Sequence, residues 1–159
     1  MKQVGVLALQ GAFIEHEKML EQLGVSFIEL RNKEDLEKPY DGIILPGGES
    51  TVQGKLLKEL DMFDTIKKQI EEGMPVLATC AGLILLAKDI KDQEETYFGT
   101  IPMTFIRAPY VESVEEGVKV LAEVDGNIVG VEYGNQIGVA FHPELDENLR
   151  VHEKFISRL

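Results

Sequence analysis

Short, nearly continuous apolar runs alternating with stretches of helical period constrain this chain more than any other feature. Val4 to Leu9, Val25 to Leu30, Asp41 to Leu45 and Pro75 to Thr79 are runs of five or six residues with little polar interruption. A strand with one face in water alternates apolar and polar residues. A continuous run means burial on both faces, as in a parallel sheet. Between the runs lie Ile14, Met19, Leu20 and Leu23, closed by Gly24. A longer stretch from Leu56 to Glu72 carries Leu57, Leu60, Phe63, Ile66 and Ile70 on one side and is closed by Gly73. Both read as amphipathic helices with glycine stops, and Ala81 to Lys88 reads as a third. The last third changes character. Val118 to Val124, Asn127 to Tyr133 and Gln136 to Phe141 are strands joined by turns at Asp125-Gly126 and Gly134-Asn135, and such short connections make antiparallel hairpins. A final helix is expected from Glu147 to Arg158. The pattern predicts an α/β fold: a three-layer, open, mostly parallel sheet with helices on both faces and antiparallel C-terminal strands.

A chain of 159 residues supports one domain, residues 1–159, with a real core. Its runs are too short to span a bilayer. Met1-Lys2-Gln3 leads straight into a strand, so no secretory leader is expected. The net charge of −12 argues against nucleic acid or an anionic membrane as partner, because both demand basic surface. One cysteine, Cys80, excludes an internal disulfide and fits a reducing, cytoplasmic setting.

Three segments can carry chemistry, and each follows a strand. Cys80 stands where a parallel strand gives way to a helix. In open α/β sheets ligands bind outside the carboxyl ends of the strands. The positive end of a helix is expected to lower the pKa of a thiol there. Ala81 and Gly82 leave room for a tight strand-turn-helix elbow. His142-Pro143-Glu144 follows the strand ending at Phe141. A thiolate nucleophile needs a base, and the base needs a third group to hold its tautomer; a carboxylate two residues beyond the histidine supplies one. Pro46-Gly47-Gly48-Glu49-Ser50 offers glycines that let backbone approach a ligand. Its N–H groups are candidates for an oxyanion hole, and Ser50 is a candidate helix cap. Singly these segments have bland readings as an inert buried cysteine, a surface loop and a turn. His16 and His152 fall on helices and are expected to be solvated or capping. No carboxylate cluster has metal-site spacing, and one cysteine makes no thiolate cage, so no metal or other cofactor is expected.

The order Gly-Gly-Glu-Ser, then Cys, then His-x-Glu resembles the class I glutamine amidotransferases, whose sheet is flavodoxin-like. The fit is close at Leu9-Gln10-Gly11 with Glu15-His16, Leu45 to Thr51, Thr79-Cys80-Ala81-Gly82, Phe105-Ile106-Arg107-Ala108-Pro109 and Phe141 to Leu145. These segments look like the glutaminase subunits of pyridoxal 5′-phosphate synthase (vitamin B6 biosynthesis), over nearly the whole chain. Ile84 stands where other branches of the class carry a glutamine. The resemblance implies that L-glutamine is hydrolysed to glutamate and ammonia. Cys80 would be the nucleophile, His142 the base and acid, and Glu144 its orienting partner. Gly48, Glu49, Ser50, Ile106 and Arg107 would bind substrate, and Gly48 and Ala81 would hold the oxyanion. Gln10 and Gly11 would meet a (β/α)8-barrel synthase subunit that receives the ammonia.

One departure stands out. Between Gly99 and Thr100 the family usually carries a segment of the form Glu-Arg-Asn-x-Phe-Gly-Arg-Gln-x-x-Ser-Phe, and none of it is present. No residue here can inherit the substrate-binding role of its first arginine. Either a loop is missing from the chain as written, or the deletion is real and removes a cleft wall. Two other readings therefore stand beside the glutaminase: a catalytically silent subunit that only docks on the synthase, and another cysteine hydrolase on a similar sheet.

Overall fold

A computed structural model describes residues 1–91, 93–94, 96–106 and 110–159. Ten strands among them form one sheet. They are β1 (Gln3–Leu7), β2 (Ser26–Leu30), β3 (Gly42–Leu45), β4 (Val76–Thr79), β5 (Ala87–Ile90), β6 (Ile101–Ile106), β7 (Tyr110–Val114), β8 (Lys119–Val124), β9 (Asn127–Tyr133) and β10 (Gln136–Val139). The order across the sheet is β2-β1-β3-β4-β10-β9-β7-β6-β5, with β8 paired to β9. From β2 to β10 every pairing is parallel. Beyond β10 the pairings with β9, β7 and β8 are antiparallel, as is β6 with β7. The α/β class, the parallel half and the hairpins match the sequence pattern.

Five α-helices among the described residues cover the faces: α1 (Phe13–Gln22), α2 (Ser50–Glu59), α3 (Phe63–Glu71), α4 (Ala81–Leu86) and α5 (Arg150–Ile156). Leu20 and Phe155 bury against Val4, Val6, Ile44, Leu77 and Ile137 on one face. Leu57, Ile66, Ile70, Leu83 and Leu86 bury with Leu7, Ile43, Leu45, Val76 and Ala78 on the other. The period-2 strand geometry thus sends alternate side chains of one strand to two separate cores. No helix among the described residues is long and apolar enough to cross a membrane.

Several boundaries differ from the sequence expectation. The stretch Leu56 to Glu72 is two helices rather than one. Asp61 has φ 56°, outside the helical region. The break lets Met62, fully buried, turn back into the core. The expected helix Ala81 to Lys88 stops at Leu86, because Ala87–Ile90 pairs with β6 instead. The last helix starts at Arg150 rather than Glu147. Ile14 is half exposed rather than core.

Candidate functional site

The carboxyl ends of β1, β3, β4 and β10 share one rim of the parallel half, and the loops leaving them meet there. Cys80 leaves β4 with φ 49° and ψ −105°, a left-handed conformation that a non-glycine residue holds only when its surroundings enforce it. The enforcement is visible. Its N–H donates to the Val139 carbonyl of β10 at 2.8 Å, and its own carbonyl accepts from Leu83 N at 3.0 Å. The elbow therefore turns the half-buried thiol out of the sheet. Burial pushes the Cys80 thiol above its usual pKa. The Ala81 N–H pulls the other way, and the negative charge of Glu144 adds to the rise. This corrects the expectation of a lowered thiol pKa. The six-residue α4 and one N–H do not offset desolvation.

His142 follows β10 and opens a single 3-10 turn over Pro143–Leu145. The turn folds Glu144 back under the ring. His142 Nδ1 lies 2.7 Å from Glu144 Oε1, with the histidine side chain 39% exposed and the glutamate side chain fully buried. An anionic carboxylate accepts, so Nδ1 carries the proton and Nε2 is left as a base on the exposed side.

Gly47 is where these residues converge. A Cβ built on it would lie 2.6 Å from His142 Cε1, 3.1 Å from His142 Nδ1 and 3.4 Å from Cys80 Cβ. The thiol-bearing carbon and the imidazole thus stand against the same bare glycine face, and no larger residue fits between them. A second close approach fixes the loop behind it. A Cβ on Gly11, which has φ 105°, would overlap the Gly47 carbonyl oxygen. That oxygen accepts from Ala12 N at 3.0 Å. Gln10 Oε1 accepts from Glu49 N at 2.8 Å, and Gln10 packs against Gly48. The buried Gln53 amide donates to Gln10 O at 3.0 Å and to Pro46 O at 3.1 Å, stapling the β1 and β3 loops together. Gln53 had no sequence signal beyond its place in the first turns of a helix.

The other expected site residues fall as follows. Gly48 and Glu49 are exposed beside Gln10, and Ser50 is buried as the first residue of α2. The N-cap of that helix is Glu49, with no side-chain cap bond, so the capping role expected for Ser50 is not realised. Ala81 follows Cys80 at the start of α4. Ile106 ends β6, which is separated from β4 by β10, β9 and β7 in the sheet. Arg107 lies outside the described residues, as do Ala108 and Pro109.

His16 and His152 correct the sequence reading most plainly. Both are fully buried. His16 Nδ1 is 2.8 Å from His152 Nε2, and His16 Nε2 is 3.1 Å from Thr79 Oγ1 and 3.6 Å from Glu144 Oε2. Burial, then His152 and His142, hold His16 down to about 3. Burial holds His152 down to about 4. A signal for this existed. His16 shares a helix face with Met19, Leu20 and Leu23, and His152 shares one with Phe155 and Ile156.

Comparison with known proteins adds to this geometry. The model of the SNO glutamine amidotransferase family matches residues 6–101 and 91–159. The pyridoxal 5′-phosphate synthase subunit PdxT of Desulfitobacterium hafniense (strain Y51) is 52% identical over 185 residues, covering 99% of this chain and 93% of that protein. The PdxT subunit of Haemophilus influenzae (strain PittEE) is 46% identical over 186 residues, covering 98% and 97%. A crystal structure described as a glutamine amidotransferase superposes with a TM-score of 0.90 at 38% identity, covering 98% of this chain and 97% of that one. The alignments are longer than the 159 residues present. The two family matches meet at residues 91–101, around the Gly99–Thr100 junction.

Proposed function

The chain belongs to the SNO glutamine amidotransferase family, and from that premise we propose that it is the glutaminase subunit of a pyridoxal 5′-phosphate synthase. It hydrolyses L-glutamine to L-glutamate and ammonia. The observation that carries this reading is the meeting of Cys80 and His142 at the bare face of Gly47, with Glu144 holding the far side of the ring.

The chemistry follows from the groups present. His142 Nε2 takes the Cys80 proton, which matters because burial keeps the thiol protonated. The thiolate sulfur bonds to the side-chain amide carbon of glutamine, and that carbonyl becomes an oxyanion. The backbone N–H groups of Gly48 and Ala81 stabilise it. His142 returns its proton to the departing ammonia, leaving a γ-glutamyl thioester on Cys80. Water, deprotonated by His142, then displaces the sulfur and gives glutamate. Glu144 stays ionised and stabilises the imidazolium formed in each step. Gly48, Glu49, Ser50, Ile106 and Arg107 hold the substrate. The Gln10–Glu49 bond and the Ala12–Gly47 bond tie substrate loop to partner loop, so docking at Gln10 and Gly11 can reset the Gly48 backbone.

Ammonia is useful to a synthase only if it passes on unprotonated, so the partner is a synthase barrel subunit seated over this rim. Exposed apolar Ile14, Phe141 and Leu145 lie beside Gln10 and His142 in the sequence and support a protein surface there. A free nucleophilic thiol suits a cytoplasmic setting.

The test is glutamate release from glutamine by the chain mixed with a synthase subunit, with Cys80→Ala alongside. Release that depends on Cys80 supports the proposal. Stable complex formation with no glutamate released favours the silent docking subunit, the reading that the missing family segment at Gly99–Thr100 recommends. Release undiminished in Cys80→Ala points to a different hydrolase.

A further inference from the structure

The Cys80–His142–Glu144 arrangement uses one carboxylate oxygen of Glu144 and leaves the other unexplained. Oε1 serves His142. Oε2 is buried without a hydrogen-bond partner. A buried, anionic oxygen with no donor is costly. The nitrogen aimed at it is His16 Nε2, 3.6 Å away, beyond a full hydrogen bond but close enough for the tautomer to decide attraction or repulsion.

That tautomer is set from behind. His16 Nδ1 and His152 Nε2 are 2.8 Å apart, so one nitrogen donates and the other accepts. If His16 donated, its Nε2 would present a lone pair to the Glu144 carboxylate. His152 would then carry its proton on Nδ1, which is buried and has no partner, leaving an orphaned N–H. If His152 donates from Nε2, both problems vanish. His16 then carries its proton on Nε2, toward Glu144 Oε2 and Thr79 Oγ1, and His152 Nδ1 keeps only an unused lone pair. Such lone pairs are tolerated better than orphaned donors. The groups facing His16 are His152 from α5, Glu144 and His142 from the loop after β10, and Thr79 from β4. None forces a second proton onto it.

We infer that His16 is a positioning residue for the proposed glutaminase triad: His152 fixes its Nε2–H tautomer, and that N–H holds the free oxygen of Glu144. The relay runs from α5 through α1 to the catalytic carboxylate, so the angle of His142 is set by two helices as well as by its own loop. It acts through Glu144 and touches no substrate. The kinetic part rests on the glutaminase reading, whereas the tautomer does not.

Two measurements test it. Long-range nitrogen–proton correlation spectra of the intact chain, with 15N-labelled histidine at pH 7, are expected to show His16 and His152 both neutral with the proton on Nε2. A proton on Nδ1 of His16, or a charged His16, overturns the inference even if glutamine is hydrolysed. In the complex with synthase, His16→Gln keeps an N–H near the Nε2 position and is expected to stay within about fivefold of the unsubstituted kcat. His16→Leu should lose about 10- to 100-fold in kcat with KM nearly unchanged. Equal losses in the two variants, or a loss carried by KM rather than kcat, overturn it. Should the unsubstituted complex release no glutamate, the function fails while the spectra still decide the tautomer.

Discussion

The two halves of the sheet differ in what they can tolerate. Strands β3, β4 and β10 are buried at every residue, and the loops leaving β3, β4 and β10 carry Gly47, Cys80 and His142. Across the boundary, β8 has no fully buried residue and β6 alternates buried with half-buried positions. The parallel half is clamped from both faces by helices. That rigidity holds a strained cysteine and a buried carboxylate in register. The antiparallel half has one face or less to satisfy, and none of Gly47, Cys80 and His142 leaves one of its strands. Precision in this molecule follows two-sided burial.

The contrast can be broken or sharpened by experiment. The largest effect is expected at Gly47. A Cβ there meets the His142 ring and Cys80 Cβ, so Gly47→Ala should lower glutamate release by more than about 100-fold. Gly126→Ala, in the β8–β9 turn with nothing near its would-be Cβ and φ 79°, should cost about 1 kcal/mol of stability through strain and leave activity alone. Equal activity losses would dissolve the distinction between the halves.

Stability should divide the same way. Leu77→Ala, at a fully buried position of β4, is expected to cost about 2–5 kcal/mol in urea unfolding. Val120→Ala, at an exposed position of β8, should stay within about 0.5 kcal/mol. A smaller effect concerns pH. His152 and His16 are held near about 4 and about 3 in the folded chain, against about 6.5 unfolded. Below pH 6.5 the unfolded chain takes up protons that the folded chain refuses, so their stabilisation is complete above that pH and drains away toward pH 4. By pH 5 each histidine should have cost about 2 kcal/mol. The urea midpoint of His152→Gln should therefore fall less between pH 7 and pH 5 than that of the unsubstituted chain. Parallel falls would refute the linkage. The smallest effect is on the thiol. Iodoacetamide alkylation of the isolated chain should reach its half-maximal rate at a higher pH than a free cysteine, since burial raises Cys80. A lower midpoint would mean that the helix end dominates after all.

Much of the parallel half was legible in the sequence because two-sided burial leaves continuous apolar runs. Val76 to Thr79 could hardly be anything else. Cys80, His142 and Glu144 were legible because they sit just past such runs, where α/β sheets bind ligands. What stayed hidden depends on partners distant in sequence. Ala87 and Lys88 read as the end of a helix until β6 arrives to pair with Ala87–Ile90. Asp61 breaks a good helical period with a positive φ, and Met62 behind it is fully buried in the core. His16 and His152 are 136 residues apart, and each looks like a polar helix residue until the other covers it. Their apolar neighbours at i+3 and i+4 were the readable clue. The missing segment at Gly99–Thr100 was visible only against the family.

The most direct test of the central claim is a search for the γ-glutamyl thioester. The chain in complex with its synthase subunit is mixed with glutamine, quenched in acid within milliseconds, digested and weighed by mass spectrometry. The account predicts a glutamyl adduct on the peptide that holds Cys80, and none in Cys80→Ala. An adduct on another residue, or glutamate released by Cys80→Ala at the unsubstituted rate, would contradict it.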